Sequence, residues 1–318
     1  MENCPDMQEK HSVSLTTEFK ERKALMKPFT YLSPETLEQA FDLYVRHGDS
    51  AKYMAGGTDV IVKLKDGWLS PEFIISLKKI KDLALLQKDD ATGGLSIGAM
   101  VTHSMLEKSE MIKKHYPIIH DAVSKIGSVQ IRNAGTIGGN LINAVPSADG
   151  AIPMIALDGT AVIKGPEKER SVMVKDLFIE PYRTVLKPGE ILTKIIIPAC
   201  SPNTGSAYIK FGRRAAMELP LIGIGVLISL DDNKETCTKA RICLGVAGPV
   251  PMRAYEAEKL LEGSRITPEL LDRAGEKAAE ESRVRDSVRG KAWHRKEMIK
   301  VQVRRMGLRC LDIIQNNS

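Results

Sequence analysis

The stretch 126–149 concentrates residues suited to holding an anion: Gly127, Gly135, Thr136, Gly138, Gly139 and Asn140, followed by Pro146 and Asp149. A glycine has no Cβ, so its backbone N–H can approach a ligand closely. Successive N–H groups turned into one concavity form a nest that suits phosphate. Thr136 and Asn140 would add side-chain hydrogen bonds, and Asp149 could accept one from a hydroxyl such as that of a ribose. A Gly-Gly pair is also an ordinary turn, so this stretch alone leaves both readings open.

A second run, Ala55, Gly56, Gly57, Thr58 and Asp59, has the same grammar. It follows the short apolar segment at Tyr53 and Met54 and leads into Val60, Ile61, Val62, Lys63 and Leu64, which read as a helix start. A helix N-terminus offers unpaired N–H groups and a dipole that favours an anion. Two such runs in one chain could clamp the two halves of a diphosphate. Neither has the GxGxxG spacing of a dinucleotide fingerprint or ends in GK[ST], which weighs against Rossmann and NTPase sites.

Taken together, residues 55–59, the run 131–140, Pro146 and Asp149 resemble the FAD-binding subunit of the molybdenum hydroxylases. That family includes the medium subunits of xanthine dehydrogenase-type and aerobic carbon monoxide dehydrogenase-type enzymes. The likeness spans about residues 27–312. It implies an α+β fold: a two-subdomain FAD-binding domain of the PCMH type, then a C-terminal three-stranded antiparallel sheet with helices.

The resemblance also assigns roles. The cofactor is FAD, and the chain supplies no catalytic acid, base or nucleophile of its own and no metal site. Ala55, Gly56, Gly57, Thr58 and Asp59, with Thr136, Gly138, Gly139 and Asn140, correspond to the diphosphate loops. Asp149 corresponds to an acidic residue lining the FAD site. Ile191 and Leu192 resemble the segment packed on the isoalloxazine, and Tyr208 and Lys210 the residues beside it, where a positive charge would favour a reduced, anionic flavin. Glu218 stands near a family acidic position. The implied partners are an iron–sulfur subunit and a molybdopterin subunit, with NAD or another electron acceptor. Two other readings remain: a self-contained FAD-dependent reductase or oxidase of the same fold, and an anion-binding interaction module without flavin.

The positioning elements follow from local pattern. Residues 1–26 are polar and mixed in charge and read as a flexible tail. Residues 27–200 form the FAD-binding domain, with subdomains at about 27–83 and 84–200. Ser33 and Pro34 supply a cap and a first-turn proline. Leu37, Ala40, Phe41 and Tyr44 then mark one helical face. Short strands at 52–54 and 73–77 around a helix suggest a small parallel sheet. Helices are expected at 105–112, 116–126 and 151–157, and strands at 95–97, 160–164, 171–175 and 190–197. His103 reads as a hydrogen-bonded surface residue or a packing residue, not a covalent flavin anchor.

The Pro-, Ser- and Gly-rich stretch 198–205 is a linker to the C-terminal domain, residues 205–312, with strands at 206–211, 221–230 and 240–246. Pro220 sits oddly at a strand approach. Thr267 and Pro268 start another helix. The last helix, from about Trp293, carries Ile299, Val303, Met306, Cys310 and Ile313 on one stripe. The basic residues of 283–309 read as its solvated face, with a partner-subunit interface as the other reading. One aromatic and no recognition motif argue against nucleic acid.

Composition bounds the rest. At 318 residues the chain can bury more than one core, and 43% hydrophobic with 27% charged residues is ordinary for a soluble globular protein. The net charge of +6 is mild. Five cysteines, odd in number and without a CxxC pair, argue for a reducing compartment. No run reaches membrane-spanning length. The expected location is cytoplasmic.

Overall fold

A computed structural model describes residues 26–316. The expected tail, apart from Met26, lies outside the described residues.

The first unit is a parallel sheet. Strand β1 (Thr30–Leu32) leads to helix α1 (Leu37–His47), β2 (Ala51–Met54), α2 (Val60–Lys65) and β3 (Phe73–Ser76). The strand order is β1-β3-β2, parallel throughout. Helix α1 starts later than Ser33, because the Thr36 hydroxyl, not Ser33, accepts from the Gln39 N–H at 3.2 Å. Its buried residues are Ala40 and Phe41.

The second unit begins with β4 (Leu86–Lys88) and β5 (Leu95–Gly98), then α3 (His103–Lys108), α4 (Glu110–His115) and α5 (Pro117–Val123). The single helix expected at 105–112 is thus two. Ser109 ends α3, its N–H donating to the Leu106 carbonyl, and its hydroxyl caps α4 by accepting from the Ile112 N–H. The glycine-rich stretch is helical too, forming α6 (Val129–Ala134) and α7 (Ile137–Ile142), with α8 (Ala151–Ala156) after it.

Strands β6 (Thr160–Lys164) and β7 (Glu169–Met173) follow, then a hairpin of β8 (Phe178–Glu180) and β9 (Arg183–Thr184), and β10 (Ile191–Ile197). The antiparallel sheet has the order β4-β5-β10-β6-β7. Strand β10 therefore returns to the middle of the sheet, and Ile191 and Leu192 lie at its first end, both buried.

The last unit comprises β11 (Thr204–Phe211), β12 (Ile222–Leu230), β13 (Cys237–Gly245) and β14 (Met252–Arg253), with α9 (Tyr255–Leu261), α10 (Pro268–Glu281) and α11 (Ala292–Asn316). The three expected antiparallel strands are joined by the two-residue edge strand β14. Strand β12 is buried along its whole length. Pro220 falls before β12, so the ladder loses no donor to it. Helix α11 buries Ile299, Val303, Met306 and Cys310, and its stripe ends on Ile314 rather than Ile313.

Arg295 departs from the expected solvated face. It is 2% exposed and donates to the Leu221 carbonyl and the Ser287 hydroxyl, each at 2.7 Å. The units share charge as well as core. Asp121 on α5 accepts from the Tyr208 N–H and from Arg309 on α11, while Asp158 pairs with Arg241 on β13. Among the described residues no helix is long and apolar enough to cross a membrane.

Candidate cofactor site

Strand β2 ends at Met54, and the chain at its carboxyl end, residues 55–59, opens into a cleft of about 760 Å³. The carboxyl ends of parallel strands are where such sheets bind ligands. The backbone N–H groups of Gly56, Gly57, Thr58 and Asp59 have no protein acceptor among the described residues, and all four residues line the cleft. Four adjacent donors without partners are what an anion nest requires. Gly57 holds φ at +82°, which a glycine adopts without strain. The nest is braced from outside: the Asn143 amide donates to Asp59 Oδ1 at 2.9 Å and accepts from Lys63 Nζ at 2.8 Å. Asn143 and Lys63 carry no sequence motif and were not among the expected site residues.

The second glycine run does something different. It was expected to offer free N–H groups, but the first turn of α7 has its own protein acceptors for them. Ile137 donates to the Val101 carbonyl, Gly138 to Ala99, Gly139 to the Thr136 hydroxyl and Asn140 to the Thr136 carbonyl. The Thr136 side chain is the helix cap. Gly138 is small because of the protein, not the ligand: a Cβ there would lie 2.6 Å from the Ala99 carbonyl. What this run offers the cleft is side chain and shape. Asn140 Oδ1 accepts from the Gly150 N–H at 3.1 Å, while its amide N–H2 has no protein acceptor among the described residues. Gly139 borders Ala55, a Cβ on it lying 3.7 Å from the Ala55 Cβ, so the two runs meet at the cleft.

Ile191 and Leu192 line the cleft, as does the stacked pair Tyr44 and Tyr53. Asp149, Tyr208 and Lys210 do not. Tyr208 O–H donates to Asp149 Oδ1 at 2.5 Å, and Lys210 Nζ donates to Asp149 Oδ2 at 2.8 Å and to the Lys125 carbonyl at 3.1 Å. Asp149 is 6% exposed. The three expected ring-side and ribose-side residues instead satisfy one another between the second and third units. Burial raises the Asp149 pKa despite the neighbouring Lys210, and burial together with Asp149 raises that of Tyr208. Glu218 also stays away from the cleft, accepting from Arg213 and from the Arg214 N–H.

His103 belongs to the cleft wall. It is the first residue of α3 and is 2% exposed, and its N–H donates to the Gly135 carbonyl at 3.0 Å. Of the two expected readings the packing one holds, and Nδ1 is sealed without a partner. Burial, with Arg132 adding repulsion, holds its pKa down to about 4.

The sign of the consequence follows from linkage. Between pH 6.5 and about 4 the unfolded chain takes up a proton that the folded chain refuses, so acidification removes stability. The full effect is about 3 kcal/mol. Urea unfolding across that window is expected to show this extra acid sensitivity in the wild type and to lose it in His103→Leu; parallel pH profiles would refute it.

The site fits a dinucleotide whose middle is anionic. Partnerless N–H donors, Thr136 and Asn140, and the apolar and aromatic residues Tyr44, Tyr53, Ile191 and Leu192 all line it. Its volume is in the range of cofactor clefts. Residues 27–200 match the family described as the FAD binding domain in molybdopterin dehydrogenase, and residues 206–310 match the CO dehydrogenase flavoprotein C-terminal domain.

The chain is 34% identical over 251 residues to the nicotinate dehydrogenase FAD-subunit of Eubacterium barkeri, covering 78% of this chain and 84% of that subunit. It is 32% identical over 277 residues to the carbon monoxide dehydrogenase medium chain of Afipia carboxidovorans, covering 87% and 94%. A crystal structure of Cu,Mo-CO dehydrogenase superposes with a TM-score of 0.84 at 31% identity, over 90% of this chain and 98% of that one. The chain belongs to the FAD-binding subunits of the molybdenum hydroxylases, an oxidoreductase family, and its cofactor is FAD.

Proposed function

We propose that this chain is the electron-transfer flavoprotein of a multi-subunit complex, receiving electrons from an iron–sulfur subunit served by a molybdopterin subunit and delivering them to NAD or another acceptor. FAD supplies the redox chemistry, while the protein supplies position and electrostatics. The observation that carries the reading is the run of partnerless N–H groups at Gly56, Gly57, Thr58 and Asp59, open to the cleft. It gives the diphosphate a nest, with Thr136 and Asn140 opposite. Ile191 and Leu192, at the start of the central strand β10, provide the apolar wall for the isoalloxazine.

Its coverage of relatives named as medium chains supports the role of one subunit among several. The four cysteines among the described residues are free thiols, which supports a cytoplasmic location.

Two measurements test the role. Expressed with the neighbouring subunits, the chain is expected to co-purify with an iron-containing chain and a molybdopterin chain; an isolated native monomer turning over a small substrate would favour a self-contained flavoenzyme. In anaerobic titration of the flavin-loaded chain, bleaching by NADH is expected if NAD is the acceptor. A visible spectrum indifferent to NADH assigns the outlet to another acceptor.

A further inference from the structure

The imidazole of His103 is buried in the cleft wall and makes no hydrogen bond to any described residue, so its polar atoms are not used to hold the fold together. Its surroundings say what it is for. The ring edge bearing Cδ2 and Nε2 lies against Gly135, where a Cβ would come within 3.2 Å of Cδ2 and 3.6 Å of Nε2. Gly135 in turn touches the nest: a Cβ on Gly56 would lie 3.0 Å from the Gly135 Cα. His103, Gly135 and Gly56 are therefore neighbours along one wall, all three lining the cleft.

Nδ1 is on the sealed side. A buried N–H without an acceptor is costly and rarer than an unused acceptor, so the sealed nitrogen carries the lone pair and the proton sits on Nε2, on the edge toward Gly135 and the cleft. The ring is neutral at ordinary pH, so it can donate one hydrogen bond without bringing a titrating charge. The charges around it are Arg132 on α6 and Glu107 on its own helix, and these pair with each other at 2.7 Å.

We propose that Nε2–H of His103 is a neutral hydrogen-bond donor to the diphosphate of the bound dinucleotide, completing from a third segment the nest that residues 56–59 begin. The inference rests on the cofactor reading given above. It assigns His103 a positioning role for an anion, not a covalent attachment to the flavin.

The test uses the full chain stripped of flavin and re-titrated. His103→Leu, which is near the ring in size but has no donor, is expected to weaken FAD binding about ten- to a hundredfold. His103→Gln, whose amide keeps a donor, is expected to stay within about threefold of wild type on the same grounds. ADP, which carries the diphosphate without the flavin, is expected to lose affinity for the Leu variant by the same factor. In wild-type chain with 15N-labelled imidazole, the Nε2–H tautomer is expected at pH 6–8, with its proton resonance shifting when FAD is added; this readout needs no variant to fold.

Equal FAD affinity in wild type and the Leu variant, or a wild-type resonance untouched by FAD, would overturn the inference while leaving the cofactor reading intact. So would a loss for FAD with none for ADP, because it would place His103 at the flavin end. A rise in FAD affinity as pH falls from 7 to 5, lost in the Leu variant, would show a cationic imidazole and overturn the neutral donor. A wild-type chain that takes up no FAD would overturn the reading on which the inference rests.

Discussion

Gly56→Val is expected to yield a chain with an intact C-terminal sheet that retains no flavin. A Cβ on Gly56 would lie 1.9 Å from the Ala134 carbonyl oxygen and 2.7 Å from its carbon. Those atoms are backbone of the last residue of α6, so no rotamer change can clear them. The nest and the second glycine run would have to separate by about 1 Å, opening the cleft where its two walls meet. Overpacking of this kind costs about 1–3 kcal/mol of stability, and at least a hundredfold loss of FAD affinity is expected.

Gly57→Ala makes the contrast. Its φ of +82° strains an alanine, but the nearest atom is Met54 Sδ at 3.2 Å, the far part of a flexible side chain. The strain is about 1–2 kcal/mol, and part of the flavin should remain. Flavin absorbance per chain, with circular dichroism as the folding check, reads both. A Gly56→Val chain that binds FAD normally, or Gly57→Ala suffering the greater loss, would contradict the packing described for the nest.

Lys210→Met is expected to destabilise the protein by about 3–5 kcal/mol near neutral pH, because it strands a buried carboxylate. Asp149 is left with the Tyr208 hydroxyl alone. The loss has a definite pH dependence. Burial already raises the Asp149 pKa, and removing the ammonium raises it further. A carboxyl whose folded pKa is raised contributes stability that is full below its unfolded pKa and is lost as pH rises through the folded one. Destabilisation should therefore shrink on acidification, as Asp149 protonates. Asp149→Asn in the same chain should recover part of it.

The flavin spectrum of Lys210→Met should stay that of wild type. Had Lys210 faced the ring, as the family likeness implied, the variant would instead hold its stability while its reduction potential fell by tens of millivolts. Unchanged urea midpoints together with a shifted potential would return Lys210 to the flavin.

The two outcomes show where the sequence is legible. Spacing placed α11, since residues three and four apart must share a face, and Thr267 with Pro268 marked the start of α10 because cap and proline act locally. The first glycine run was readable for the same reason: the strand, the turn and the helix start are all within a few residues. The second was not. Two of its N–H groups, those of Ile137 and Gly138, are taken by the carbonyls of Val101 and Ala99, which are remote in sequence and near only in the fold.

Asp149, Tyr208 and Lys210 show the same limit of sequence reading. Residue type announces a carboxylate, a phenol and an ammonium, but not that they meet one another between two units. Of the two readings open for His103, surface and packing, the fold selects packing, because Gly135 and Arg132 arrive against it from another helix. Asn143, which braces Asp59 and Lys63, belongs to no motif and could be found only from the fold.

The most direct test of the account is uptake of FAD by the flavin-free, folded full-length chain, followed by desalting and measurement of flavin per chain. The expected result is one FAD per chain with the visible bands of oxidised flavin, and its loss in Gly56→Val. A folded wild-type chain that stays colourless after equilibration with excess FAD would contradict the account at its centre.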